Sequence, residues 1–295
     1  MNNPGKPVNR RTMLRQYISG AAALDLASRL EPLLAAPASR WFKIGVCDWS
    51  LGKRSNPAAF EVAKTIGLDG VQVDMGTAQN DMCLRKPEMQ KTYREAARQS
   101  GLEIASLGLG ELNSVPLKSD PRAAQWLADS VDVCHALGLP VVLVAFFGAG
   151  DLDMTRTAEI DHVVEVLKRV AAKAEKAGVT LGLENYLTAE DNIKSLDRVG
   201  SPAVKVYYDV GNSTDKGHDI LREIRLLGPR ICEFHAKDGE HMLGAGRIDF
   251  HKVRRAMDDI RFSGWIQIEA AAPHGLIPDY TADRKYLKGI FPKRV

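Results

Sequence analysis

Four cysteines in 295 residues are few, and none shows a CxxC or other paired spacing. Cys47, Cys134 and Cys232 lie in strongly apolar segments, where cysteine serves as a small hydrophobe, so they are assigned no chemistry. A disulfide stays open in an oxidising compartment. No run approaches the roughly 18 apolar residues of a membrane span, which leaves no stable membrane anchor. An excess of one charge is also missing: 40 Lys and Arg face 37 Asp and Glu, a formal net charge of +3. Residues 1–38 hold all of that excess, with five basic residues against two acidic ones. The remaining chain is near neutral, so no basic surface argues for nucleic acid or an anionic membrane.

What is present begins with an address. Paired arginines in "NRRTML", the short apolar "ISGAAAL" and a small-x-small site at Ala36-Pro37-Ala38 read as a cleavable signal of the twin-arginine type over residues 1–38. That reading makes the mature protein exported or periplasmic. Asp25, Arg29 and Glu31 interrupt the apolar stretch, so an ordinary amphipathic helix on a cytoplasmic protein is the alternative.

From Trp41 onward short apolar runs alternate with helical patterns. The runs are "FKIGVC", "GVQVD", "LEIASLG", "PVVLVAF", "VTLGLE", "VKVYYD", "ICEFH" and "WIQIEA". Between them, Ile160, Val163, Val164, Leu167, Val170, Ala171 and Ala174 keep one face apolar at helical spacing. "SGLEI", "LGLPV" and "KAGVT" repeat one device, a glycine just past a helix and a strand directly after. Eight strands alternating with helices over about 250 residues predict an α/β fold, a single-domain (β/α)8 TIM barrel over residues 41–295. A doubly wound open sheet is the alternative, but "CDWSLGKRS" after the first strand carries no GxGxxG or Walker pattern.

Active sites of such barrels form at the carboxyl ends of the strands. Strands five to eight end in "GLENY", "YYDVGN", "FHAKD" and "QIEA", and so deliver Glu184, Asp209, His235 and Glu269. Each has a bland reading: an ion-pair partner for either glutamate, a helix cap for Asp209, a satisfied core histidine for His235. Taken together, four consecutive strands place one metal-competent group each at the same end. Three carboxylates and one imidazole suit a hard or borderline divalent ion such as Mn²⁺, Mg²⁺ or Co²⁺.

"GLENY", "YYDVGN", "FHAKD", "LGAGRIDF" and "IQIEA" resemble the signature segments of the xylose isomerase-like TIM barrel superfamily. That group includes ketose 3-epimerases, hydroxypyruvate isomerases, inosose dehydratases and type-IV apurinic endonucleases. The resemblance implies that Glu184, Asp209, His235 and Glu269 bind one divalent ion, foremost Mn²⁺, with Mg²⁺, Co²⁺ or Zn²⁺ admitted. It also implies that Glu184 and Glu269 are the catalytic acid/base pair, moving a proton next to a carbonyl through an enediolate that the ion stabilises.

The implied activity is a sugar isomerase or epimerase acting on a free sugar, keto-sugar or glycoside. A lyase or dehydratase acting by 3-keto-glycoside elimination or inosose dehydration is the alternative, because it starts from the same proton abstraction. Candidate substrate contacts are Trp49, Glu111, Asn185, Asn212, Lys237, His241 and Arg247, with Phe146, Phe147 and Tyr186 as further groups at the mouth.

There are departures. Asn212 stands where the endonucleases carry a histidine, Gln72 where strand two usually ends in glutamate, and His241 where epimerases often place an arginine. An endonuclease is therefore disfavoured, and a sugar-binding barrel without turnover is disfavoured because both glutamates, Glu184 and Glu269, remain. In "LGAGRIDF", Asp249 is expected to cap the next helix. Barrels of this group often form dimers or tetramers, but no self-complementary surface is legible, so a homo-oligomer stays open.

Overall fold

In the computed structural model, which describes residues 40–293, the eight apolar runs are eight strands. They are β1 (Phe42–Cys47), β2 (Gly70–Asp74), β3 (Glu103–Leu109), β4 (Val141–Ala145), β5 (Thr180–Glu184), β6 (Val204–Asp209), β7 (Ile231–Ala236) and β8 (Gly264–Ile268). Neighbours pair in parallel, and β1 also pairs with β8, so the sheet closes into a barrel and the open-sheet alternative is set aside. The helices between them are α1 (Ala59–Ile66), α2 (Pro87–Ser100), α3 (Pro121–Leu137), α4 (Thr157–Ala177), α5 (Ala189–Val199), the short α6 (Val210–Asp215), α7 (Ile220–Leu227), α8 (Phe250–Asp259) and α9 (Leu276–Ile290). The leader expected over residues 1–38 lies outside the described residues. Among the described residues no helix is long and apolar enough to cross a membrane.

Strand alternation sorts the side chains into two environments. Ile44, Val46, Val71, Val73, Val142, Val144, Leu181 and Leu183 belong to the main apolar core between the barrel and its helices. The apolar stripe of α4 joins it, with Ile160, Val163, Val164, Leu167, Val170, Ala171 and Ala174 all buried. Removing a Leu- or Val-sized side chain from water in this way stabilises by about 1.5–3 kcal/mol. Helices α2, α3 and α4 each end at a glycine with positive φ, Gly101 at 74°, Gly138 at 71° and Gly178 at 68°. Glycine takes this backbone conformation without a Cβ penalty, which explains the repeated glycine-then-strand device.

The barrel interior is different, because much of its middle layer is polar. Gln72, Ser106, Glu233 and Gln267 are buried there with Tyr207. Two register shifts produce this layer. The β2–β3 ladder passes from Val71↔Ile104 to Gln72↔Ser106, skipping Ala105. The β6–β7 ladder passes from Val206↔Ile231 to Tyr207↔Glu233, skipping Cys232. Such bulges re-aim side chains, and here they bring Ser106 and Glu233 into line with the inward residues of their neighbours. Cys232 packs against the small apolar interior cluster of Val141, Leu143, Ala145 and Tyr207. All four cysteines are free.

Close backbone approach sets the need for glycine at Gly70, where β2 begins. A Cβ there would stand 2.6 Å from the Glu103 carbonyl oxygen and 2.6 Å from the Trp265 ring. Gly70→Ala should therefore force backbone movement in two strands and destabilise by about 1–3 kcal/mol. The expected result is a lower urea midpoint with an unchanged slope; a midpoint equal to that of the parent chain would contradict the close packing.

Candidate metal centre

The last inward position of each strand from β5 to β8 opens on the same space. Glu184 closes β5 and pairs with Ala145 of β4, while Asp209 and His235 face each other across the β6–β7 ladder. Glu269 lies one residue past β8 and still continues the sheet, its N–H donating to the Ala236 carbonyl at 3.0 Å. One ligand atom from each of Glu184, Asp209, His235 and Glu269 lies within 4.8 Å of all the others. His235 Nδ1 is 2.8 Å from Glu184 Oε1, 3.8 Å from Glu269 Oε2 and 4.0 Å from Asp209 Oδ2.

Asp209 shows why capping and ligation are compatible. Its Oδ1 accepts from the backbone N–H groups of Gly211 and Asn212 at 2.7 and 2.9 Å, capping α6. Its Oδ2 is buried and has no hydrogen-bond partner. An orphaned carboxylate oxygen beside two glutamates and an imidazole nitrogen is a donor set that a divalent cation fits. Gly211 makes the close packing possible: a Cβ there would lie 2.9 Å from the Lys237 carbonyl oxygen.

The charges in the cluster push one another. Burial, with Glu184 and Glu269 nearby, pushes the Asp209 carboxyl up to about 7. Burial would also raise Glu269, but His235 and Lys237 outweigh it and hold that carboxyl below its usual range. Burial opposes the charge on His235, yet the neighbouring Cys47 sulfur and the Glu184 and Glu269 carboxylates hold the proton well above the usual imidazole range. Cys47 touches His235 Nε2 at 3.3 Å. Burial pushes its thiol up to about 12, so it is neutral at physiological pH and its contact adds no charge.

Above the cluster is a cavity of about 270 Å³ whose lining includes Trp49, Arg54, Asp74, Asn113, Phe147, Tyr186, Asn212 and Lys237, with Glu184 and Glu269 at its floor. Trp49 Nε1 donates to Glu269 Oε1 at 2.7 Å, and Lys237 Nζ donates to Glu269 Oε2 at 3.2 Å. Of the substrate contacts expected from sequence, Trp49, Asn212 and Lys237 line the cavity, as do Phe147 and Tyr186, whereas Phe146 is buried in the main apolar core.

The others are turned to different partners. Glu111 accepts from the Ala78 N–H and pairs with Arg54. Asn185 bonds to Asn192 and the Leu187 N–H. His241 is exposed, and Arg247 pairs with Asp215. Asp249 caps α8 as expected, accepting from the N–H groups of His251 and Lys252. His218 and His274 stand 3.4 Å from Glu223 and Asp279.

Arg54, Asp74 and Asn113 went unread as cavity residues. Asp74 had a signal, as the last residue of β2 on the same face as Gln72; Arg54 and Asn113 sit in loops with none. Glu233 likewise had one, two residues before His235 and therefore on its face in a regular strand.

Comparison with known proteins adds to this geometry. Residues 60–290 match the family model described as xylose isomerase-like TIM barrel. The chain is 28% identical over 229 residues to 2-epi-5-epi-valiolone 7-phosphate 2-epimerase of Actinoplanes sp., covering 75% of this chain and 83% of that one. It is 23% identical over 228 residues to D-psicose 3-epimerase of Enterocloster bolteae, covering 71% and 75%. The D-psicose 3-epimerase structure from Clostridium cellulolyticum H10, solved with D-tagatose, superposes with a TM-score of 0.72 at 19% identity, covering 84% of this chain and 99% of that one.

The raised carboxyl of Asp209 fixes the sign of a pH effect. Without metal, the folded chain holds a proton there that the unfolded chain releases near pH 4, so the stabilisation is full below that value and lost as pH rises through about 7. His235, also raised, adds in the same direction; Glu269, lowered, acts only at more acidic pH. Chelator-treated protein should therefore lose thermal stability between about pH 5 and about pH 8, and added Mn²⁺ should restore it most strongly at the upper end. Asp209→Asn should flatten that profile and abolish most of the Mn²⁺ effect. Melting curves independent of both pH and Mn²⁺ would contradict this account of the cluster.

Proposed function

The chain belongs to the xylose isomerase-like TIM barrel family, and from that premise we propose that it is a divalent-metal-dependent isomerase or epimerase of an unphosphorylated sugar or keto-sugar. The observation that carries this reading is the convergence of Glu184, Asp209, His235 and Glu269 within 4.8 Å at the floor of an open cavity. These four residues would hold the ion, which supplies Lewis acidity that polarises a carbonyl and makes the neighbouring C–H easier to deprotonate.

The rest of the chemistry belongs to the chain. Glu184 and Glu269 stand on strands separated by two others, so one can take a proton from one face of a substrate carbon and the other return one to the opposite face. Trp49 and Lys237 fix both oxygens of Glu269. Trp49, Phe147 and Tyr186 give the cavity an aromatic side on which the C–H face of a sugar can rest. Its size, slightly below the roughly 300 Å³ at which drug-sized sites begin, suits a small polyol.

Charge supports the unphosphorylated substrate. Among the described residues lining the cavity, Arg54 is already paired with Asp74 at 3.2 Å and with Glu111 at 3.3 Å. Lys237 is paired with Glu269 at 3.2 Å. A phosphate would have to displace a carboxylate from either cation, whereas hydroxyl groups need displace none. An exported protein, as the paired arginines near the N-terminus lead us to propose, would also meet free rather than phosphorylated sugars.

Solvent deuterium incorporation tests the reaction directly. Metal-loaded protein should exchange a carbon-bound proton of a free ketose or 3-keto-sugar, faster than that of the matching sugar phosphate. Glu184→Gln and Glu269→Gln should each slow this exchange by about 10²- to 10⁴-fold while leaving the fold intact. Release of water or an aglycone in place of an epimer would assign the lyase outcome, and no exchange with any such sugar would overturn the proposal.

A further inference from the structure

Beneath the four converging side chains runs a set of hydrogen bonds that the proton transfers above do not use, and it has a direction. At its foot is Glu233, buried on β7, whose Oε1 accepts from Ser106 Oγ at 2.9 Å, from the Tyr207 hydroxyl at 2.9 Å and from Gln267 Nε2 at 2.7 Å. A hydroxyl has one proton to give. Ser106 and Tyr207, each donating to the Glu233 carboxylate, can only accept from their other neighbour.

That neighbour is the side-chain amide of Gln72, whose Nε2 lies 3.0 Å from Ser106 Oγ and 3.1 Å from the Tyr207 hydroxyl. The amide orientation follows: its nitrogen faces the two hydroxyls and its oxygen faces the other way. Turned around, the amide would set its oxygen against two hydroxyls with no proton left to share. In the allowed orientation Gln72 Oε1 meets Cys47 Sγ at 3.2 Å and His235 Nε2 at 3.0 Å. An amide oxygen only accepts, so Nε2 must carry the proton.

We propose that Glu233, acting through Ser106, Tyr207 and Gln72, fixes the His235 proton on Nε2 and leaves Nδ1 as the one ring nitrogen open to a cation. Nδ1 is the nitrogen aimed at Glu184, Glu269 and Asp209. An imidazole with its proton on Nδ1 would donate to Glu184 and could not ligate. Gln72 is fully buried and Glu233 nearly so, so both are positioning residues that act through His235. Gly45 leaves the space this layer needs, since a Cβ there would fall 2.1 Å from Gln267 Oε1. The inference rests on reading the cluster as a metal centre.

The test joins a spectrum to an affinity. In zinc-loaded protein, long-range ¹H–¹⁵N NMR should show His235 protonated at Nε2 and coordinated through Nδ1. In chelator competition, Gln72→Met, of similar length but with no acceptor for Nε2–H, should weaken zinc binding by about 10- to 100-fold. A purely space-filling Gln72 predicts a harmless methionine.

Coordination through Nε2 in the unsubstituted protein overturns the proposal, and so does unchanged zinc affinity in Gln72→Met. Should Gln72→Met fail to fold by circular dichroism, the spectrum of the unsubstituted chain decides alone. Failure of the unsubstituted protein to bind any divalent ion overturns the metal-centre reading and this inference with it, whereas normal binding with an indifferent Gln72→Met overturns the inference only.

Discussion

Three carboxylates and an imidazole that meet within 4.8 Å in a buried space repel and desolvate one another. In the low dielectric of a protein interior, such an arrangement persists only by taking up protons or a cation. The raised Asp209 carboxyl and the retained proton on His235 are the proton solution; a divalent ion is the other, and it leaves the carboxylates ionised for chemistry. Much of the surrounding structure meets the same constraint. Asp209 spends one oxygen on the α6 N-terminus and keeps the other free, and Glu269 is steadied by Trp49 and Lys237.

The polar middle of the barrel extends that logic downward. Barrels of this kind are usually filled by branched apolar residues, yet here Gln72, Ser106, Tyr207, Glu233 and Gln267 occupy the layer under His235. Buried polar groups are tolerable when their donors and acceptors are matched, and the three donors on Glu233 Oε1 supply much of that match. Interior glycines at Gly45 and Gly182 make the room: a Cβ on the latter would meet Cys232 Sγ at 2.7 Å. The apolar work of folding is moved outward, to the interface between strands and helices.

Strand positions were legible because they rest on local signals. β1 and β2 coincide with the apolar runs "FKIGVC" and "GVQVD", and α4 with the periodic stretch before "KAGVT". Glu184, Asp209 and His235 were legible as strand-terminal polar residues, and Glu269 as the residue just after a strand. The contacts expected of His241, Arg247, Glu111 and Asn185 were not, because loop residues are directed by partners far away in the chain. Arg247 turns to Asp215 and Glu111 to Arg54, pairings that no spacing announces. Asp209 was read as cap or ligand, when a carboxylate with two oxygens can serve in both directions.

The sequence by itself determined the order of the strands, their alternation with helices and the kinds of donor that stand at four successive strand ends, since each depends on neighbours a few residues apart. Only the tertiary structure decided which atoms meet: that β1 closes on β8, that two bulges align Ser106 and Glu233 with Gln72 and Tyr207, and that the mouth's arginine and lysine are already paired. These outcomes join residues as far apart as Gln72 and Tyr207. They follow from the curvature and register of a closed sheet, which belong to the whole ring of strands and to no single segment of it.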